Sequence, residues 1–99
     1  MKPISESTLQ ARCLRYLRES HPNIYYEKII NGNRAGLPDL RLCIKGKFVA
    51  VELKSLKGKV SELQAHNLHK ITKAGGIALI SNDLVQFKQL ICEIANSLP

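Results

Sequence analysis

The sequence predicts an α/β fold in which helices flank a mixed β-sheet, with the element order αβββαβα. Three segments carry apolar residues at helical spacing, and the four segments between them are of strand length and are apolar or alternate in polarity. The size agrees with this class, because 99 residues with 44% hydrophobic and 23% charged side chains are typical of a small globular protein. We therefore expect residues 1–99 to form a single domain.

The first helix is predicted over residues 6–20. One of its faces carries four apolar or aromatic residues at helical spacing: Leu9, Cys13, Tyr16 and Leu17. Ser5 or Ser7 is placed to cap the start of the helix. Glu6 extends the inward stripe by one turn as a carboxylate, and the alternative is a first-turn acid that the helix dipole favours.

Three strands follow the first helix. Residues 24–30 are β-branched and aromatic, as is typical of a strand. Residues 39–44 and 47–54 alternate in polarity on either side of a short turn, Lys45-Gly46, which predicts an antiparallel hairpin. The inward face of the hairpin is predicted to comprise Leu40, Leu42 and Ile44 on one strand and Val49, Val51 and Leu53 on the other.

The C-terminal half is predicted as helix, strand and helix. The second helix runs from a cap at Ser61 to about Ala74, and the short apolar run Ile77–Ile80 indicates a strand in the middle of a covered sheet. A last helix, capped by Ser81 or Asn82, turns five apolar residues inward: Leu84, Phe87, Ile91, Ile94 and Leu98. Because a helix joins the last two strands, we expect them to be parallel, with a right-handed crossover.

The charge of the chain favours a polyanionic partner. The 15 Lys and Arg residues outnumber the 8 Asp and Glu residues, so the formal net charge is +7, which indicates nucleic acid first and an anionic membrane surface second. With no Trp, 3 Tyr and 2 Phe, contacts with phosphates should dominate over base stacking. No apolar run approaches the length of a membrane span and the N-terminus has no signal-peptide core, so we expect a cytoplasmic protein without membrane contact.

The cysteine pattern agrees with a reducing compartment. Cys13, Cys43 and Cys92 lie far apart and form no CxxC pair. Neither a disulfide framework nor a Cys-rich zinc site is therefore expected. Each cysteine has apolar neighbours and is predicted to be a small core residue.

Two carboxylates are the candidate functional residues. With a two-residue turn, Asp39 on the first hairpin strand lies opposite Glu52 on the second, with Cβ atoms about 4.5–5.5 Å apart. Directly opposed like charges are destabilising, and a divalent cation with oxygen ligands would relieve the repulsion. Lys54 lies two residues beyond Glu52 on the same face and brings a cationic side chain close to the pair.

Two alternatives to this interpretation stay open at the level of sequence. A three-residue turn would shift the register and separate Asp39 from Glu52. The two carboxylates could also be ordinary strand-end charges with Lys54 as their salt-bridge partner, an arrangement that contributes about 0–1 kcal/mol at a surface.

The residues around the carboxylates form a recognisable motif. Gly36-Leu37-Pro38-Asp39, followed after twelve residues by Glu52-Leu53-Lys54, resembles the PD-(D/E)xK signature of the restriction-endonuclease-like nucleases. With Glu6 on the first helix and Gln64 on the second, the chain is similar to the VRR-NUC branch in particular. The resemblance extends from Glu6 to about Ile80 and implies the restriction-endonuclease-like αβββαβ(α) core.

The resemblance implies a site for Mg²⁺ or Mn²⁺ and no organic cofactor. Asp39 and Glu52 would be the metal ligands, joined by the backbone carbonyl of Leu53, and a metal-activated water would be the nucleophile. Lys54 would orient or deprotonate that water, or offset charge on the phosphate. Glu6 would complete the carboxylate cluster through water or a second metal.

The remaining candidate residues would contact the substrate. Gln64 would hydrogen-bond the water, Lys54 or the scissile phosphate, and the alternative is a capping-box role with Ser61. Five basic residues in or beside the loops that flank the proposed site are candidate DNA contacts: Arg34, Lys45, Lys47, Lys57 and Lys59. Arg41 shares the Asp39 face of the strand and is a candidate to contact phosphate or balance the carboxylates.

We therefore expect a metal-dependent, structure-selective DNA endonuclease that hydrolyses phosphodiester bonds in branched DNA such as Holliday junctions. One site per chain cannot cut two strands symmetrically, so a homodimer is expected, through the last helix or the Tyr25-Tyr26 strand. A phage or prophage origin would suit so small a protein. Two alternatives are a basic DNA-binding module without catalysis and a nuclease that acts on RNA.

Overall fold

The computed structural model describes residues 4–30 and 35–99, and within them three helices and four strands follow one another in the predicted order. The helices are α1 (Glu6–Ser20), α2 (Glu62–Lys73) and α3 (Leu84–Ser97). The strands are β1 (Tyr25–Lys28), β2 (Leu40–Ile44), β3 (Lys47–Leu53) and β4 (Ile77–Ser81). The predicted α/β class is confirmed, and β1 is shorter than the predicted residues 24–30.

The four strands form one mixed sheet in the order β1-β2-β3-β4. The pairs β1–β2 and β2–β3 are antiparallel, whereas β4 is parallel to β3 because α2 carries the chain back along the sheet. The predicted parallel pair is therefore confirmed.

β4 is an outer strand of this sheet, so the prediction of a central position for Ile77–Ile80 is wrong. Its apolar sequence has another cause, since Ile77 and Leu79 pack against the core on one face while α2 packs against the strand. Ile80 is 48% exposed. The apolar run therefore reflects helices on both faces of the strand rather than further strands on both of its edges.

The core lies between one face of the sheet and the pair of helices α1 and α3. Six buried side chains come from these helices: Leu9, Cys13, Leu17, Phe87, Ile91 and Ile94. They pack on the six predicted inward residues of the β2–β3 hairpin, all of which are buried. Leu84 and Leu98 are partly buried at the margin of this core. The opposite face of β3 and β4 is covered by α2, and the functional residues lie on that side.

Cys13 is buried in the core, but the prediction that Cys43 and Cys92 are core residues is wrong, because both are exposed. Cys43 alternates with the buried residues of β2 and so belongs to the other face of the sheet. Cys92 lies next to Tyr16, whose hydroxyl oxygen is 3.3 Å from its sulfur.

The helix caps agree with prediction at two of three helices. Ser5 caps α1, and Ser61 caps α2. α3 is capped by Asp83, whose carboxylate accepts a hydrogen bond from the backbone of Gln86 at 2.7 Å, so the prediction of Ser81 or Asn82 is wrong. Ser81 belongs to β4, and its buried hydroxyl donates to the Asp83 carbonyl instead.

No helix within residues 4–30 and 35–99 has both the length and the apolar character needed to cross a membrane.

Candidate functional site

Asp39 and Glu52 meet at the open end of the β2–β3 hairpin. The observed register pairs Leu40 with Val51, and its continuation by one residue brings Asp39 opposite Glu52, as predicted from the two-residue turn. Asp39 is held in place, because its Oδ2 accepts a hydrogen bond from the backbone N–H of Leu53 at 2.7 Å. The three-residue turn is thereby excluded.

Glu52 is a buried carboxylate with incomplete hydrogen bonding. The residue is 2% exposed, and its Oε1 accepts a hydrogen bond from Gln64 Nε2 at 3.2 Å and lies 3.8 Å from Lys54 Nζ. Its other oxygen, Oε2, is buried and has no hydrogen-bond partner in the described part of the chain. A buried carboxylate oxygen without a partner is costly, so this position calls for a proton or a cation.

The protonation of Glu52 reflects this environment. Burial, followed by the neighbouring Asp39, raises the pKa of Glu52 to about 8, although the nearby Lys54 acts in the opposite direction. Two adjacent carboxylates and an unpartnered buried oxygen are chemically suited to a divalent cation with oxygen ligands. An ordinary exposed strand-end pair would not be buried in this way.

Gln64 has two contacts at once. Its Oε1 accepts a hydrogen bond from the backbone N–H of Ser61 at 2.9 Å, which completes the capping box of α2. Its Nε2 donates to Glu52. The capping role and the contact with the site therefore coexist, because the two ends of one side-chain amide serve different partners.

Glu6 lies at the rim of the site. It is exposed in the first turn of α1, and its Oε1 is 3.4 Å from the backbone nitrogen of Ser55 and 3.0 Å from where a Cβ of Gly58 would stand. Among residues 4–30 and 35–99, no three His, Cys, Asp or Glu side chains converge closely enough to hold a metal by themselves. The candidate site is therefore centred on the carboxylates of Asp39 and Glu52. A role for Glu6 through a bridging water stays a prediction.

Asn67 is a positioning residue that we did not predict from the sequence. It is 8% exposed, and its Nδ2 donates to the backbone carbonyl of Gly36 at 2.7 Å. Gly36 has a φ of +79°, and a Cβ there would stand 2.4 Å from the Leu63 side chain. α2 therefore contacts both halves of the site, Glu52 through Gln64 and the segment before Asp39 through Asn67. An Asn inside a helix, three residues after Gln64, is the signal that could have identified it.

Of the candidate DNA contacts, two lie beside the site. Lys57 and Lys59 are exposed in the loop after β3, on either side of Gly58. Arg41 is exposed on β2 and forms an ion pair with Glu27 at 3.0 Å. Arg34 lies outside the described residues.

Lys45 and Lys47 do not flank the site, contrary to prediction. They belong to the turn end of the hairpin, and Glu52 follows Lys47 by five residue steps of strand, which is about 17 Å. Lys45 instead donates to the carbonyls of Ala95 and Leu98 at the end of α3, at 2.8 and 3.2 Å. That contact satisfies carbonyls at a helix C-terminus, so Lys45 has a structural role.

The raised pKa predicts how the metal-free protein responds to pH. Glu52 releases its proton near pH 4.5 when unfolded and near pH 8 when folded. Between these two pKa values the folded state binds more protons than the unfolded state. The contribution of Glu52 to the free energy of unfolding is therefore fully present below the unfolded-state pKa and is lost as the pH rises through the folded-state pKa. We expect urea unfolding to show a larger loss of stability from about pH 5 to 8.5 in the wild type than in Glu52→Gln. Equal losses in both proteins would mean that Glu52 is charged throughout.

Comparison with known proteins identifies the family. The family model of the VRR-NUC domain matches residues 4–82. A solved structure described as a VRR_NUC domain protein superposes with a TM-score of 0.80 at 16% identity, over 94% of this chain and 89% of that chain. Another, described as a VRR_NUC domain, has a TM-score of 0.71 at 23% identity, over 87% and 92%. No curated protein matches. The solved structures share the fold, the family model covers most of the chain, and the protein therefore belongs to the VRR-NUC domain family of the PD-(D/E)xK superfamily.

Proposed function

We propose that this protein is a metal-dependent nuclease that hydrolyses phosphodiester bonds in DNA. The observation that carries the proposal is the buried Glu52 carboxylate, which lies beside Asp39 and Lys54 and has one oxygen without a hydrogen-bond partner among residues 4–30 and 35–99. Membership of the VRR-NUC family supports a nuclease. A DNA-binding module without catalysis would have no need to bury a carboxyl group beside a second carboxylate.

The residues that would hold Mg²⁺ or Mn²⁺ are Asp39, Glu52 and the backbone carbonyl of Leu53. Such a cation, when bound, lowers the pKa of water and stabilises negative charge on a phosphate. The protein contributes prearranged ligands, since the Leu53 N–H orients Asp39 and Gln64 orients Glu52. A fixed donor set reduces the reorganisation that binding requires.

Lys54 is the residue placed to act on the reacting groups. Its side chain is 15% exposed, and its backbone N–H donates to the carbonyl of Ser81 at 3.0 Å, which continues the β3–β4 pairing. The ammonium group is therefore presented from a rigid strand end. It would orient the attacking water, remove its proton or offset the charge that develops on the phosphate.

The substrate class follows from charge. The net charge of +7 and the exposed Lys57 and Lys59 beside the site favour a polyanion that is gripped by its phosphates. Branched DNA is our proposed substrate, cut by a homodimer, because two sites related by symmetry would cleave two strands.

Cleavage assays test the proposed reaction. We expect Mg²⁺ or Mn²⁺ to support cleavage, EDTA to abolish it, and both Glu52→Gln and Lys54→Met to lower the rate by about 100-fold or more. Glu93→Gln is the matched control for Glu52→Gln, because it makes the same exchange at an exposed position on α3. Undiminished turnover in excess EDTA would contradict the mechanism.

The same assay decides between substrates when four-way junctions, linear duplexes and RNA of matched sequence are compared. We expect paired nicks in the DNA junction and slower cleavage of the linear duplex. Faster cleavage of the RNA would favour the RNA nuclease instead. Light scattering of the protein alone checks the proposed homodimer.

The contact of Asn67 with Gly36 gives a further expectation. Asn67→Leu keeps a similar volume but removes the donor, which frees the segment that carries Asp39. We expect the affinity for Mn²⁺, measured by calorimetry, to fall by about tenfold or more. Thr72→Val removes a hydrogen bond that stays within α2 and serves as the control. Unchanged Mn²⁺ affinity in a folded Asn67→Leu protein would contradict this role.

A further inference from the structure

A basic groove lies between α1 and α3, away from the carboxylates. It has a volume of about 390 Å³ and is lined by Arg12, Arg15, Glu19 and Tyr16 of α1 together with Lys88 of α3. The three cationic side chains come from two different helices and border a single concave surface. A concave surface with an excess of one sign of charge focuses the electrostatic potential, so this groove, with three cations against Glu19, is suited to an anion.

The cations of the groove are only partly neutralised. Arg15 forms an ion pair with Glu19 at 3.0 Å, with both side chains largely exposed. Within residues 4–30 and 35–99, neither Arg12 nor Lys88 has an ion-pair partner. The groove therefore retains a formal charge of +2 from these four residues.

Tyr16 forms an uncharged wall that orients one of the cations. Lys88 Nζ lies 5.3 Å from the centroid of the Tyr16 ring, which is a cation–π distance. The Tyr16 hydroxyl is 2.7 Å from Nε2 of His21, which fixes the ring. Burial raises the pKa of Tyr16 to about 12, so this wall adds no negative charge near neutral pH.

The groove and the candidate site share helix α1, which carries Glu6 at its start and Arg12 and Arg15 further along. Arg12 and Arg15 follow Glu6 by six and nine residues, which is about 9 and 14 Å along a helix. Those distances equal about three to four base-pair steps of a duplex. Because the carboxylates lie on the α2 side of the sheet, a nucleic acid that occupies both places must pass around α1 from the site to the groove.

We propose that the groove between α1 and α3 is a second phosphate-binding site, which holds the backbone of the nucleic acid outside the scissile phosphate. This proposal rests on the proposed nuclease function and deepens it. Arginine recognises phosphate through paired N–H donors, and lysine does so as a point charge. An acidic protein segment is the competing occupant, and a nucleic acid is favoured because the same chain carries the candidate nuclease site.

Binding measurements on single variants test the proposal. Anisotropy of labelled duplex DNA is measured in EDTA, which prevents cleavage, from about 0.05 to 0.2 M salt. We expect Arg12→Gln and Lys88→Gln each to weaken binding about fivefold and to reduce the slope of log affinity against log salt by about 0.9. Arg18→Gln makes the same change of charge on α1, but Arg18 does not line the groove, so its effect should be much smaller.

The outcomes separate this proposal from the nuclease itself. If the wild type binds and cleaves DNA while Arg12→Gln and Lys88→Gln behave like Arg18→Gln, only the groove proposal is wrong. If the groove variants lose affinity for a labelled oligoglutamate peptide but not for DNA, the groove binds acidic peptides and the proposal is overturned. If the wild type neither binds DNA in EDTA nor cleaves it with Mg²⁺ or Mn²⁺, both proposals are wrong.

Discussion

The register of the β2–β3 hairpin is the constraint on which the candidate site depends. Lys45 and Gly46 both have positive φ, +50° and +83°, which gives the tight two-residue turn whose twist matches the flanking strands. A slip by one residue would turn the inward residues of one strand to the other face and separate Asp39 from Glu52. The packing of six hairpin side chains against α1 and α3 opposes such a slip, so the core that stabilises the fold also sets the distance between the carboxylates.

The candidate site lies on the other side of the sheet from that core, so a destabilising group in the site does not disturb the packing of the core. In the described part of the chain one oxygen of the buried Glu52 has no hydrogen-bond partner, which destabilises the metal-free fold, and the neighbours of Glu52 compensate only in part. Gln64 donates one hydrogen bond to Glu52, and Lys54 places a positive charge 3.8 Å from the Glu52 carboxylate. Because the apolar core is built by α1 and α3, the α2 side can carry this destabilising arrangement without loss of the fold.

The positions of the site residues in and beside β2 and β3 could be predicted from the sequence, because strand alternation and one short turn determine them. Asp39, Glu52 and Lys54 occupy the predicted positions for this reason. The edge position of β4 could not be predicted, because an apolar run indicates that both faces of a strand are covered and does not indicate how many strands pair with it. The role of Lys45 at the end of α3 and that of Asn67 at Gly36 depend on contacts between segments 31 to 53 residues apart, which no local pattern encodes.

The most direct test is to ask whether a cation replaces the proton of Glu52. Calorimetric titration of metal-free protein with Mn²⁺, in buffers of different ionisation enthalpy, counts the protons released on binding. With a pKa of about 8, Glu52 should release about one proton per Mn²⁺ at about pH 6.5, and the release should decrease as the pH rises above 8. Glu52→Gln should abolish the release and weaken binding. Tight binding of Mn²⁺ without proton release at the lower pH, unchanged in Glu52→Gln, would contradict a metal centre built on this carboxylate.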